Sequence, residues 1–174
     1  MPNIFTEGEF TVIRAHNPNW AWDPLSGEGA RLNGGRFNWP GLPALYVSLD
    51  VETAIIEAQQ SFVRKIQPMT LVHYDLVTDG LVDLTDNTVQ EEFNFSSADL
   101  ADAWLIKSMR NIRPEQWKII SNLLEIEGFS GVIAPSFAPG ASGKNIILFD
   151  WSDDATKNAR ITPIDDDGRL PTKT

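Results

Sequence analysis

Cysteine is absent from all 174 residues, and that absence removes disulfides, a thiolate nucleophile and cysteine-ligated zinc together. Histidine is nearly as scarce. His16 and His73 are the two present, too few for a two-histidine metal centre unless carboxylates contribute, and no metal-ligand spacing accompanies them, so no metal is expected. No apolar run approaches the ~20 residues that a membrane-spanning helix needs. The opening Met1-Pro2-Asn3-Ile4-Phe5 has neither the basic nor the apolar region of a secretory leader. A soluble, cytoplasmic protein with no membrane contact is the expectation. Positive charge is short as well. The formal net charge of −10 repels nucleic acid over most of the surface and argues against direct nucleic-acid binding. The deficit is local: Asp75 to Asp102 holds eight acidic residues and neither Lys nor Arg, whereas Arg14, Arg31 and Arg36 gather near the front. The acidic middle serves solubility through self-repulsion or meets a basic partner.

What is present is an ordinary globular composition. An apolar share of 42% over 174 residues fits one domain with a real core, with that core expected over about residues 10–150 and a polar tail over about 151–174. Strands are expected at Phe10–Arg14, Pro43–Leu49 and Met69–Leu76, with a shorter one at Leu81–Leu84. A helix should start at Asp50 as N-cap with Thr53 at N3, its apolar stripe running through Val51, Ala54, Ile55 and Ala58. Ser96 or Ser97 should cap a second helix over Ala98–Met109, and Arg113-Pro114-Glu115 should open a third over Gln116–Glu127, ending near Gly128. Two apolar strands then bracket a Pro/Ser/Gly hinge that places Ser136 at the mouth of a β-pair. His73 reads as a strand residue with a local partner, and Asp165-Asp166-Asp167-Gly168 as a turn.

Between Gly29 and Glu57 the chain concentrates chemistry: two arginines, a glycine pair, a Pro-Gly-x-Pro turn, a strand and a helix start. Asn33-Gly34-Gly35-Arg36 reads as a turn that needs positive φ or close backbone approach. Arg31 and Arg36 flank it, and guanidinium forks grip pyrophosphate or carboxylate bidentately. Trp20, Trp22 and Trp39 lie close by in sequence, either as an aromatic wall for a flat ligand or as core filling. On a helical wheel Glu57 falls at the edge of the apolar stripe, so it either faces solvent or points into a cleft beside the preceding strand. Ser136 lacks a G-x-S-x-G context, which disfavours a nucleophile and favours positioning by hydrogen bonds.

Arg14 on the first strand, G-A-R-L-N-G-G-R-F-N at 29–38, A-L-Y-V-S-L-D-V-E-T-A-I-I-E at 44–57, G-F-S-G-V-I-A-P-S at 128–136 and Asn145 together resemble the RES-domain family, toxins of bacterial Xre–RES toxin–antitoxin pairs. Phe37 stands where the family often has tryptophan and keeps an aromatic face. The resemblance implies a single α+β domain similar to ADP-ribosyltransferases, with central strands flanked by helices, that binds NAD⁺ as substrate and destroys it by hydrolysis or phosphorolysis. It implies that Arg36 or Arg31 holds phosphate, that Tyr46 lines the nicotinamide end and that Glu57 stabilises a ribosyl cation or orients the acceptor. Ser136 and Asn145 would position the ligand, and Arg14 would join the NAD⁺-binding set. The implied partner is a cognate Xre-like antitoxin, with a homo-oligomer within that complex as a further expectation. A protein-modifying mono-ADP-ribosyltransferase and a non-catalytic NAD⁺ or nucleotide binder are the alternatives.

Overall fold

The computed structural model describes residues 4–59 and 66–173. Two long antiparallel strands, β1 (Phe5–His16) and β3 (Thr70–Asp83), pair over almost their whole lengths, from Phe5↔Val82 to His16↔Thr70. The other edge of β3 is shared. Its last residues pair in parallel with β4 (Gly131–Pro135), and β4 leads antiparallel to β5 (Lys144–Leu148), which leads antiparallel to β2 (Leu45–Ser48). β2 then returns to β1 at the single pair Ile13↔Ser48. The circuit β1-β2-β5-β4-β3 thus closes on itself, with Ser48 at the closure.

Strand alternation divides the interior into two cores. Leu45, Val47, Ile133, Ile146 and Leu148 point to one side with Val12, Tyr74, Leu76, Leu81 and Ile161. Val132, Ala134 and Ile147 point to the other, under the helix α6 (Glu115–Leu123), which buries Ile119, Ile120 and Leu123. Tyr46 faces the α6 side, and so by period two does Ser48. Among the described residues five more α-helices complete the α+β domain: α1 (Glu28–Asn33), α2 (Val51–Gln59), α3 (Asn87–Glu92), α4 (Ser97–Leu100) and α5 (Trp104–Met109). Among the described residues no helix is long and apolar enough to cross a membrane.

Four expectations change. The chain beyond Trp151 is not a polar tail: β6 (Trp151–Ser152) and β7 (Ala159–Pro163) extend the sheet, β7 pairing antiparallel with β3 from Tyr74↔Pro163 to Thr78↔Ala159. Ala159 and Ile161 are fully buried, and a pattern of two apolar residues is too short to stand out from its polar surroundings. The strands expected at Met69–Leu76 and Leu81–Leu84 are one, because Asp79-Gly80 is not a turn. A Cβ on Gly80 would lie 2.1 Å from the Gly128 carbonyl oxygen, so the glycine serves close approach of the chain entering β4. The helix expected over Ala98–Met109 is broken into α4 and α5, for a reason that belongs to the cleft described below. Finally, α6 stops at Leu123, with turns continuing to Gly128 at φ 85°.

Candidate functional site

Arg36 is placed by the turn that carries it. Gly34 adopts φ 72°, which glycine alone adopts cheaply. A Cβ on Gly35 would lie 2.7 Å from the Tyr46 hydroxyl and 2.8 Å from Asn38 Oδ1, so the pair needs both positive φ and close approach. Side chains then wire the turn down. Trp117 Nε1 donates to the Gly35 carbonyl at 2.9 Å, and the buried Asn38 donates from Nδ2 to the carbonyls of Ala30 and Leu42 at 2.8 and 3.0 Å. The Tyr46 hydroxyl donates to Asn38 Oδ1 at 2.8 Å and accepts from the Phe37 N–H at 3.1 Å. Burial pushes this phenol well above its usual range, so Tyr46 stays a neutral donor.

The guanidinium of Arg36 lies 4.4 Å from the centre of the Phe137 ring, within cation–π range. Its Nη1 donates to the carbonyls of Leu100 and Asp102 at 3.3 and 3.1 Å. Those carbonyls are available because the helix breaks at 101–103. There the Asp102 carboxylate accepts the N–H of Ala103 and of Glu115 at 2.9 and 3.1 Å and pairs with Lys107 at 2.7 Å. The buried Gln116 donates from Nε2 to the same two carbonyls. Burial lowers the Arg36 guanidinium, opposed by the nearby charge of Glu57 and by Tyr46 and Asp102. Among the described residues Nε and Nη2 meet no protein acceptor, which leaves a two-donor edge for a ligand.

Glu57 approaches from α2. Asp50 caps that helix as expected: its carboxylate accepts the Thr53 N–H at 2.7 Å and the Thr53 hydroxyl at 2.8 Å. The buried side of α2 differs from the expected stripe, since Thr53 and Ala54 are inside while Val51 is exposed. Glu57 follows Thr53 by four residues and Ala54 by three, which puts it on the packed face. Its Oε1 accepts from the Ser136 hydroxyl at 2.5 Å and from Asn145 Nδ2 at 2.6 Å. Both donors reach it because the β4–β5 loop lies directly on the start of α2. A Cβ on Gly143 would fall 2.2 Å from both Asp50 Oδ2 and Thr53 Oγ1, and the Gly143 carbonyl accepts the Ser136 N–H at 2.9 Å.

Two cavities meet at Tyr46, Glu57 and Asn145. One, of 160 Å³, is walled by Arg36, Phe37, Trp104, Phe137 and Ile147. The other, of 260 Å³, is walled by Ile13, Arg14, Ser48, Ala54 and Ala58. Neither alone reaches the roughly 300–1,000 Å³ of a small-molecule site, and the shared wall makes them one cleft with the carboxylate between its lobes, Arg36 lining one and Arg14 the other. Arg14 donates from Nη1 to the Ser26 carbonyl at 2.9 Å; burial lowers its guanidinium, opposed by Tyr74 and Asp23. Beyond Ala15 and Ala58 lies a further cavity of 580 Å³, lined by His16, Asn17, Pro18, Gln67 and Met69 among others. No formally charged side chain lines it among the described residues.

Arg14, Arg36, Tyr46, Glu57, Ser136 and Asn145 are therefore brought together, and Arg31 is not. It lies on α1 in an exposed bidentate pair with Glu28, at 2.7 and 2.5 Å. The front tryptophans also stay outside the cleft. Trp20 is exposed, Trp22 lies under Lys173, and Trp39 packs on Trp117. The aromatic walls are instead Phe37, which the motif at 29–38 carries, and Trp104 and Phe137, which no sequence pattern marks. Ser48 was also missed, although alternation with Tyr46 along a strand puts it on the same face. His73 is exposed on β3, its carbonyl accepting the Ile164 N–H. Among the described residues no cluster of His, Cys, Asp and Glu could hold a metal.

The model of the RES domain family matches residues 11–173. A search of curated proteins finds no match. Among solved structures, a chain of the crystal structure of the M. tuberculosis MbcT–MbcA toxin–antitoxin complex matches with a TM-score of 0.62 and 20% identity, covering 93% of this chain and 87% of that one. At that identity the match shows a shared fold.

Proposed function

The chain belongs to the RES-domain family, and from that premise we propose that it is the toxin of a toxin–antitoxin pair that binds NAD⁺ and cleaves its nicotinamide–ribose bond. One observation carries the reading: a carboxylate fixed by two donors on one oxygen stands between two lobes, one walled by the Arg36 guanidinium and the other lined by Arg14. NAD⁺ offers the matching charges, an anionic pyrophosphate and a cationic nicotinamide ribose. Cleavage sends the bonding pair to nicotinamide, which leaves neutral, and puts positive charge on the ribosyl carbon. A preorganised carboxylate beside that carbon interacts more strongly with the transition state than with the substrate, because charge develops there as the bond breaks. Arg36, with Nη1 occupied and two donors remaining, suits the pyrophosphate; Arg14 suits a second anionic group across Glu57. Tyr46 and Phe137 offer flat faces to the ring. The cavity past Ala15 and Ala58 gives room for the remainder of a dinucleotide.

An antitoxin partner is proposed on the same family premise, and the fold match to a toxin–antitoxin complex supports it. The activity is tested by incubating purified protein with NAD⁺, with and without inorganic phosphate, and identifying the products. Free nicotinamide with ADP-ribose or its 1-phosphate supports the reading. ADP-ribose attached to a protein would make the chain a mono-ADP-ribosyltransferase, and bound but intact NAD⁺ a non-catalytic binder.

A further inference from the structure

We propose that Ser48 is a positioning residue for this cleft: its hydroxyl fixes the Asn145 amide, and through it the Glu57 carboxylate. The inference rests on the NAD⁺-cleaving reading given above. Ser48 is 4% exposed at the point where the strand circuit closes, with Ile13 of β1 on one side and Asn145 of β5 on the other. It lies directly opposite Asn145 in the β2–β5 register, and cross-strand partners on one face are near enough to bond. The Ser48 hydroxyl donates to Asn145 Oδ1 at 2.7 Å, and Asn145 Nδ2 donates in turn to Glu57 Oε1 at 2.6 Å. An asparagine has one acceptor end and one donor end. With Oδ1 held by Ser48, the donor end must face the carboxylate, and the chain Ser48→Asn145→Glu57 has a single direction.

Removing the hydroxyl leaves an acceptor without its donor next to a carboxylate, and such an acceptor draws the amide toward any other donor or water. The Asn145 bond to Glu57 then weakens, while the Ser136 hydroxyl still donates to Oε1. Since Glu57 acts on charge that appears only as the glycosidic bond breaks, the loss belongs in kcat and not in KM. A structural serine would not divide the two constants in this way.

Ser48→Ala and Ser48→Thr are compared with the native protein for NAD⁺ consumption and for the side-chain amide signals of Asn145 in ¹H–¹⁵N spectra. Thr keeps the hydroxyl, suits a strand, and its methyl has the adjoining 260 Å³ lobe to enter. Ser48→Ala is expected to lower kcat about 10-fold, with KM within about two-fold, as for one lost hydrogen bond acting in the transition state. Its Asn145 amide signals should shift, and Ser48→Thr should restore both readouts. Full kcat in Ser48→Ala, or a loss that Ser48→Thr fails to restore, overturns the proposal. The amide signals separate this inference from the activity: if the native protein leaves NAD⁺ intact, the NAD⁺ reading fails, while unmoved Asn145 signals in Ser48→Ala would still refute the positioning role.

Discussion

Arg31 and Arg36 carry the same charge and are near neighbours in sequence, and side-chain partners separate them. Arg31 spends its fork on Glu28 at the surface, whereas Arg36 is anchored by Nη1 on two carbonyls and braced on Phe137. A lysine at position 36 would keep the charge and lose both the planar stack and the paired donors. Arg36→Lys is therefore expected to weaken NAD⁺ binding by roughly 1–3 kcal/mol, measured by calorimetric titration of both proteins. Equal affinity would move the pyrophosphate to Arg14. Sequence alone could not choose between the two front arginines, because the choice depends on carbonyls that a helix break frees far along the chain, at Leu100 and Asp102. The glycine pair, in contrast, was legible, since its backbone demand is local.

Among the elements, the end of β1 holds a titratable group with a consequence for stability. His16 Nε2 lies 2.6 Å from the Tyr74 hydroxyl, which donates to the Pro24 carbonyl at 2.8 Å. Burial, with the charge of Arg14 added, lowers His16 from its ordinary 6.5 to about 4. The unfolded chain therefore takes up a proton between those values while the folded one does not. Stability is fully present above pH 6.5 and falls as the pH drops toward 4. About 2 kcal/mol should be lost from this group between pH 7 and 5. Denaturant titrations of the native protein and His16→Gln at both pH values measure it, and parallel losses in the two proteins would contradict the assignment. Element limits were readable where the signal is local, as in the Asp50–Thr53 cap and the strand at 45–48. They were not where tertiary partners decide: Ser130 and Gly128 keep β3 running through Gly80, β3 recruits β7, and Thr53, a polar residue, selects the face of α2 that carries Glu57.

At the scale of the whole molecule, the strand circuit is what assembles the cleft. Ser136 and Asn145 lie 79 and 88 positions from Glu57 in sequence, and they meet it because β5 pairs with β2 while the β4–β5 loop rests on α2. The molecule as a whole carries a formal net charge of −10, so an acidic segment of an antitoxin would be drawn to the cleft lined by Arg14 and Arg36. Such a partner should compete with NAD⁺, and its association should slow as salt rises. Unchanged NAD⁺ affinity at saturating antitoxin would require inhibition from a distance. If the carboxylate held in this cleft stabilises a ribosyl cation, the rate of nicotinamide release from NAD⁺ differs between the native protein and folded Glu57→Gln. Steady release by the native protein and a fall of ~10²-fold or more in Glu57→Gln is the expected result; equal rates in the two proteins, or no release by either, would contradict it.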